Sequence, residues 1–123
     1  MLNDHTTGFP VAVLESSLVS ATRTAASAVL GAEALVGDRR AGRIGFIGTG
    51  LIAEHVRRFL RDLGWQSDEY LLHDVRPPVV ERFAERLAAD GMAGATVAED
   101  AATVLRRSDL VVLVTTATTP HID

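Results

Sequence analysis

Six residues, Gly48-Thr49-Gly50-Leu51-Ile52-Ala53, carry two glycines and an alanine at the spacing G-x-G-x-x-A. They follow a short apolar run with Ile44, Phe46 and Ile47, and they open a stretch of helix-favouring residues. As strand, tight turn and helix, the arrangement suits one piece of chemistry. Gly48 permits a turn off the strand that a side chain would block. Gly50 lets the backbone approach a bound pyrophosphate, and the small Ala53 lets the helix lie close on the strand. The amides from Thr49 through Leu51 and Ile52, with the partial positive charge of a helix start, then meet the phosphates. Short glycine patterns recur by chance, so the surroundings have to decide what this one means.

Asp74 is the second candidate. It ends the next apolar run about 20 residues beyond the turn, where a carboxylate accepts hydrogen bonds from the adenosine ribose of a dinucleotide. A strand-end Asp also starts turns and caps helices, which is the plainer alternative. A carboxylate there repels a ribose phosphate and so points to NAD over NADP, whereas Arg76 is the kind of neighbour through which NADP is accommodated. Arg23 stands alone among small residues. It is either a surface cation whose stem covers apolar area or a fixed guanidinium that grips a carboxylate bidentately. The hydroxyls of Thr115, Thr116 and Thr118 follow an apolar run and either line the nicotinamide side of a cofactor or form a solvated turn. No residue is a persuasive general acid or base, so no catalytic residue is named. The histidines (His5, His55, His73, His121) are scattered, with no pair at metal-ligand spacing.

These residues need elements to hold them. Residues 1–9 read as loop and 10–14 as a short strand. Residues 20–36 are alanine-rich and helical, with Ser20 as N-cap and Gly37 as the stop. After the polar hinge 37–42 comes the first strand of a new unit. In the helix that follows, Ile52, Val56, Phe59, Leu60 and Leu63 form an apolar stripe of helical period. Glu54, Arg57, Arg58, Arg61 and Asp62 lie opposite it, as a solvated face. Gly64 ends this helix. Residues 69–74 form the second strand, 79–89 a helix behind the Pro77-Pro78 punctuation, and 95–98 a third strand. A brief helix at 99–107 precedes 110–114, a continuous apolar run of the kind buried on both faces of a parallel sheet. Strand and helix thus alternate four times from Arg43, which specifies an α/β, Rossmann-like, doubly wound parallel sheet. In such a sheet the first and fourth strands flank the crevice that takes the ligand, so the threonine loop faces the glycine turn.

Composition agrees. The chain has 123 residues, enough for one domain, and 47% apolar content supports a packed core. A net charge of −4, from 12 basic and 16 acidic residues, argues against a nucleic-acid surface. Cysteine is absent, which removes disulfides and thiolate metal sites and fits a reduced, cytoplasmic compartment. No apolar run is long enough to span a bilayer.

The stretches ATRTAASAVLGAEAL, GFIGTGLIAEHV and VVLVTTATTPHI together resemble the ornithine cyclodeaminase/mu-crystallin family. The wider wording GFPVAVLESSLVSATRTAAS, then FLRDLGW and LLHD, is similar to its 2,3-diaminopropionate-forming branch. The resemblance implies an NAD-dependent oxidoreductase of siderophore and antibiotic biosynthesis. Such an enzyme cleaves N-(2-amino-2-carboxyethyl)-L-glutamate oxidatively to 2-oxoglutarate and 2,3-diaminopropionate. It implies that Arg23 binds the substrate carboxylate and that Thr24 lies beside the cofactor. Gly48 to Ile52 take the turn role, Asp74 the ribose role, and the loop with Thr115, Thr116 and Thr118 the place near the cofactor ring. It further implies an internal fragment: residues 1–40 as the tail of a substrate and dimerisation domain, 41–123 as a partial four-stranded NAD-binding domain, and a homodimer in the full-length family. The fourth strand would be left as an open edge, and the chain alone would bind NAD weakly and turn nothing over. The rival within the family is a non-catalytic dinucleotide- or partner-binding module of mu-crystallin type. An S-adenosylmethionine methyltransferase ranks lower, since that class prefers glycine where Ile52 stands and leaves Arg23-Thr24 unexplained.

Overall fold

The computed structural model of the chain describes residues 1–117. It opens with β1 (Leu2–Asn3) and β2 (Pro10–Ala12), a small antiparallel pair. The loop expected over residues 1–9 is therefore partly strand. Asp4 is the cause: its Oδ1 accepts hydrogen bonds from Thr6 N at 3.1 Å, Thr7 N at 2.7 Å and Thr7 Oγ1 at 2.8 Å. The resulting Asx-type turn, completed by Gly8 at φ +74°, folds the segment back on itself. α1 (Ser17–Val36) starts one turn earlier than the expected Ser20. Ser16 caps it in position only. The Glu15 carboxylate accepts from Ser17 N at 2.6 Å, taking the part a cap hydroxyl would have played. Gly37, at φ +82°, stops the helix as expected.

Four strands then alternate with three helices: β3 (Arg43–Ile47), α2 (Leu51–Asp62), β4 (Glu69–His73), α3 (Pro77–Ala89), β5 (Ala95–Val97), α4 (Ala101–Arg107) and β6 (Leu110–Leu113). The prolines expected to punctuate ahead of α3 are its first two residues, because the opening turn needs no donor from them and φ is already set. All four strands are parallel, in the order β5-β4-β3-β6. The chain steps outward through β4 and β5, then returns to the far side of β3. This is the doubly wound α/β sheet.

Alternation along the strands builds the core. Ile44, Phe46, Tyr70 and Leu72 point to the face covered by α1, α2 and α3, with the Phe46 and Phe83 rings 5.1 Å apart. Ile47 and Leu71 point to the other face, against Ala101 and Val104 of α4. Gly45 makes that second layer possible. A Cβ there would stand 2.4 Å from Ser108 Oγ and 2.5 Å from Val104 Cγ1, so glycine lets α4 press onto β3. α1 packs on α2 through its small residues Ala21, Ala25 and Val29.

Two expectations are corrected. β6 stands at the edge of the described sheet, as the resemblance implied, but it is not enclosed on both faces: its residues are half-buried and Leu113 is 54% exposed. The polar side of α2 is solvated only in part: Arg58, Arg61 and Asp62 are exposed as expected, but Glu54 and Arg57 are buried. Arg57 donates to Glu54 through Nε at 3.0 Å and Nη2 at 2.8 Å, and Nη1 binds Asp90 just beyond α3. Arg58 and Arg86 also lie against Glu54. Among the described residues, no helix is long and apolar enough to cross a membrane.

Candidate functional site

The register of β3 on β4 pairs Ile47 with His73, so both strands end side by side and the residues beyond them, Gly48 and Asp74, are neighbours. Gly48 turns the chain at φ +87°. Its amide donates to His73 O at 2.8 Å. A Cβ on Gly48 would fall 2.5 Å from Val114 O, because Val114 N donates to Ile47 O at 2.9 Å and lays the end of β6 against the turn. Glycine is required here twice over, for its conformation and for its size.

The next residue ties the turn to β4. Thr49 is buried; its N and Oγ1 donate to Asp74 Oδ2 at 2.8 and 3.1 Å. Oδ1 of the same carboxylate accepts from Arg76 N at 3.0 Å and Arg76 Nε at 3.3 Å. Burial raises the Asp74 pKa, but the hydrogen bonds from Thr49 and Arg76 outweigh it and hold the carboxyl below its ordinary value. The group is an anion at neutral pH.

α2 begins at Gly50, whose φ of −80° and ψ of −158° are open to any residue. With no side chain, Gly50 cannot cap the helix, whereas Asp100 caps α4 by accepting from Thr103 N at 2.6 Å. The opening amides of α2 therefore keep their donors free for a ligand. A Cβ on Gly50 would meet nothing within 4 Å. Its place is a cradle that a phosphate could fill.

These groups border one cavity of about 690 Å³, within the range of small-molecule and cofactor sites. The expected residues Gly48, Gly50, Leu51, Ile52 and Asp74 line it, as do Thr115 and Thr116 across the crevice. Thr49 lies behind the lining and acts through Asp74. Thr118 is outside the described residues. Arg23 and Thr24 are exposed on α1 and outside the lining. Ser17, Ser20 and Ala21 border the cavity instead, at spacings that continue to Thr24 on the same face of the helix. Ser17 carries no local mark of a site in the sequence and Ser20 there resembles a helix cap; the signal that both border a cavity is their stripe of small hydroxyl residues at helical spacing. His73 also lines the cavity and was not singled out from the other histidines. Among the described residues no three His, Asp or Glu side chains are grouped to hold a metal.

A dinucleotide fits what is present: a phosphate cradle at Gly50, free amides behind it, and a carboxylate one strand away. The ornithine cyclodeaminase/mu-crystallin family model matches residues 1–122. No curated protein sequence matches the chain at a significant level. Among solved structures, the chain is similar to a Thermococcus litoralis Δ1-pyrroline-2-carboxylate reductase in complex with NADH and L-proline, at 28% identity and a TM-score of 0.76 over 98% of this chain and 36% of that one. It is also similar to a lysine cyclodeaminase studied for recognition of L-lysine, L-ornithine and L-2,4-diaminobutyric acid, with 28% identity, a TM-score of 0.79, and coverage of 98% and 35%. An archaeal alanine dehydrogenase dimer with bound NAD matches at 28% identity, with a TM-score of 0.75 and coverage of 92% and 34%. The chain thus spans about a third of the length of these structures.

Proposed function

The chain belongs to the ornithine cyclodeaminase/mu-crystallin family, and on that premise we propose that it is the dinucleotide-holding part of an NAD-dependent oxidoreductase acting at an amino-acid C–N centre. One observation carries the reading: the Thr49–Asp74 hydrogen bonds join the glycine turn and the second strand's carboxylate at the rim of one cavity. The reductase held with NADH and the alanine dehydrogenase held with NAD support the cofactor. The amides of Gly50, Leu51 and Ile52 receive the phosphates, and Asp74 accepts from the ribose hydroxyls. Thr115 and Thr116 border the nicotinamide. When bound, NAD supplies a hydride acceptor for the substrate's α-carbon. Arg23 grips the substrate carboxylate and Thr24 lies beside the cofactor; for these two the support is the family resemblance.

The substrate class is amino acids, supported by the proline, lysine and ornithine of the similar structures. The finer reading is oxidative cleavage of N-(2-amino-2-carboxyethyl)-L-glutamate to 2-oxoglutarate and 2,3-diaminopropionate, supported by the wording of the sequence around Arg23 and Asp74. Residues 1–40 form the tail of a substrate and dimerisation domain and 41–123 part of the cofactor domain. The assembly is a homodimer, as the similar alanine dehydrogenase is a dimer. A binding module without turnover is the second reading. What favours it is the exposure of Arg23 outside the cavity.

The test is a titration with NADH, followed by nicotinamide fluorescence into the millimolar range. Gly50→Val fills the cradle at a backbone conformation valine accepts. It should cost at least tenfold in affinity with an unchanged melting temperature. Equal affinity in wild type and Gly50→Val would remove the cofactor reading. Adding amino-acid substrate then separates the two functions: an effect on NADH binding that Arg23→Ala abolishes supports the enzyme.

A further inference from the structure

His73 is the last residue of β4 and stands directly before Asp74. It pairs with Ile47 at the end of β3, and strand alternation puts its side chain on the face of Leu71, toward α4. There its Nδ1 lies 3.3 Å from Ala98 O, while Ala98 N donates to Leu72 O at 2.8 Å, so the ring is laid against the end of β5. A carbonyl oxygen only accepts, and the proton of the neutral ring is therefore assigned to Nδ1. Nε2 is then an acceptor, and among the described residues the contact at Nδ1 is the ring's one hydrogen bond. The buried side-chain polar atoms without a partner are Trp65 Nε1 and Ser108 Oγ. Nε2 is not one of them, and the half-buried His73 lines the cavity, so this acceptor is open to a ligand.

The sugar sets where the base would lie. In a nucleotide the base is carried on C1′, next to the 2′ carbon, so a ribose whose hydroxyls meet Asp74 brings its base against the residues flanking that carboxylate. Those residues are His73 and Val75, and both line the cavity. Val75 is 84% exposed and belongs to neither core cluster. An apolar side chain in that position offers a surface to the face of a flat ring. His73 meets the ring's edge with an acceptor, and only a donor on that edge suits it.

We propose that His73 selects the base of the bound nucleotide: its Nε2 accepts a hydrogen bond from the exocyclic 6-amino group of adenine, while Val75 covers the ring face. The inference rests on the cofactor reading above and deepens it, naming the residue through which the base is told apart by its edge. The tie from Nδ1 to Ala98 O fixes the polarity of the contact. With the proton held there, Nε2 presents a lone pair, and a purine without the 6-amino group leaves it unpaired. His73 acts on specificity and takes no part in hydride transfer.

AMP and purine riboside 5′-monophosphate differ only in that amino group, which makes them the probes. Both are titrated into the 123-residue chain and followed by NMR at about pH 8, where imidazole is neutral. AMP should bind about fivefold tighter than the analogue, the size of one neutral hydrogen bond. His73→Phe keeps a flat ring and removes the acceptor; it should bring AMP down to the level of the analogue and leave the analogue unchanged. His73→Gln, whose amide oxygen accepts, should recover part of the preference. Ring-nitrogen shifts should place the His73 proton on Nδ1. If NAD and AMP bind but AMP shows no preference over the analogue, this inference is overturned and the cofactor reading stands. A proton found on Nε2 would also overturn it, as would equal weakening of AMP and analogue by His73→Phe, since the ring would then act through shape alone. If neither NAD nor AMP binds, the cofactor reading falls and this inference with it.

Discussion

The three glycines at positions 45, 48 and 50 do three different jobs. Gly45 is a packing glycine and Gly48 a conformational one, while Gly50 leaves room for something outside the chain. Their alanine variants should separate accordingly. Gly48→Ala puts a side chain at φ +87° and against Val114 O, and should cost about 1–3 kcal/mol or more in urea unfolding. Gly45→Ala, which crowds Ser108 and Val104, should cost about 1–3 kcal/mol by overpacking. Gly50→Ala should leave stability within about 0.5 kcal/mol and show its effect in NADH affinity. Were Gly50→Ala the most destabilising of the three, the division of roles would be wrong. The motif spacing alone made Gly48 and Gly50 legible, whereas Gly45 was invisible because its demand comes from α4, distant in the chain.

At the scale of elements, α2 shows where periodicity misleads. Its apolar stripe was legible, but its charged side looked solvated because a hydrophobic pattern cannot report what lies opposite a charge. α3 and Asp90 cover Glu54 and Arg57 while Arg58, Arg61 and Asp62 stay exposed, and Arg57 becomes the bridge between the two helices. Arg57→Ala leaves Glu54 buried beside only partial partners and should cost about 3–5 kcal/mol in denaturant unfolding. The joint replacement Glu54→Leu with Arg57→Met, which removes both charges, should come much closer to wild type. A single variant no worse than the double would show the network to be unimportant.

The same network sets a pH dependence. For Glu54, burial works against ionisation, but hydrogen bonds and charge from Arg57, Arg58 and Arg86 win and lower its pKa below 4.5. Arg57 likewise lowers Asp90. Folded-state values below the unfolded ones stabilise the protein at neutral pH and lose that contribution as pH falls through the carboxylate range. The urea midpoint should therefore drop between neutral pH and about pH 4, and drop less in the Glu54→Leu, Arg57→Met variant. Equal acid sensitivity in both would locate the effect elsewhere.

At the scale of the whole molecule, the sheet order brings the ends of β3, β4 and β6 together, and the cavity exists because β6 returns to the far side of β3. Outside the sheet, α1 turns only its small residues toward α2. Leu18, Val19, Leu30 and Leu35 remain exposed, Leu35 at 87%, and among the described residues β6 is an edge strand of the sheet. Large apolar side chains left exposed in this number promote association. Light scattering should rise with concentration, and Leu30→Lys with Leu35→Lys should suppress it at unchanged melting temperature. Scattering that ignores the double substitution would rule out these two leucines as the cause.

The sequence by itself determined the strand–helix alternation, the glycine turn and the carboxylate at the second strand's end, because strand and helix periods, glycine freedom and helix stops are local properties of the chain. Tertiary structure alone decided that Asp74 spends all its acceptors on Thr49 and Arg76, that Glu54 and Arg57 are buried, and that Ser17 and Ser20 border the cavity where Arg23 does not. Each of these depends on which side chains meet across elements far apart in sequence, and hydrogen-bond saturation and burial have no value until those partners are in place.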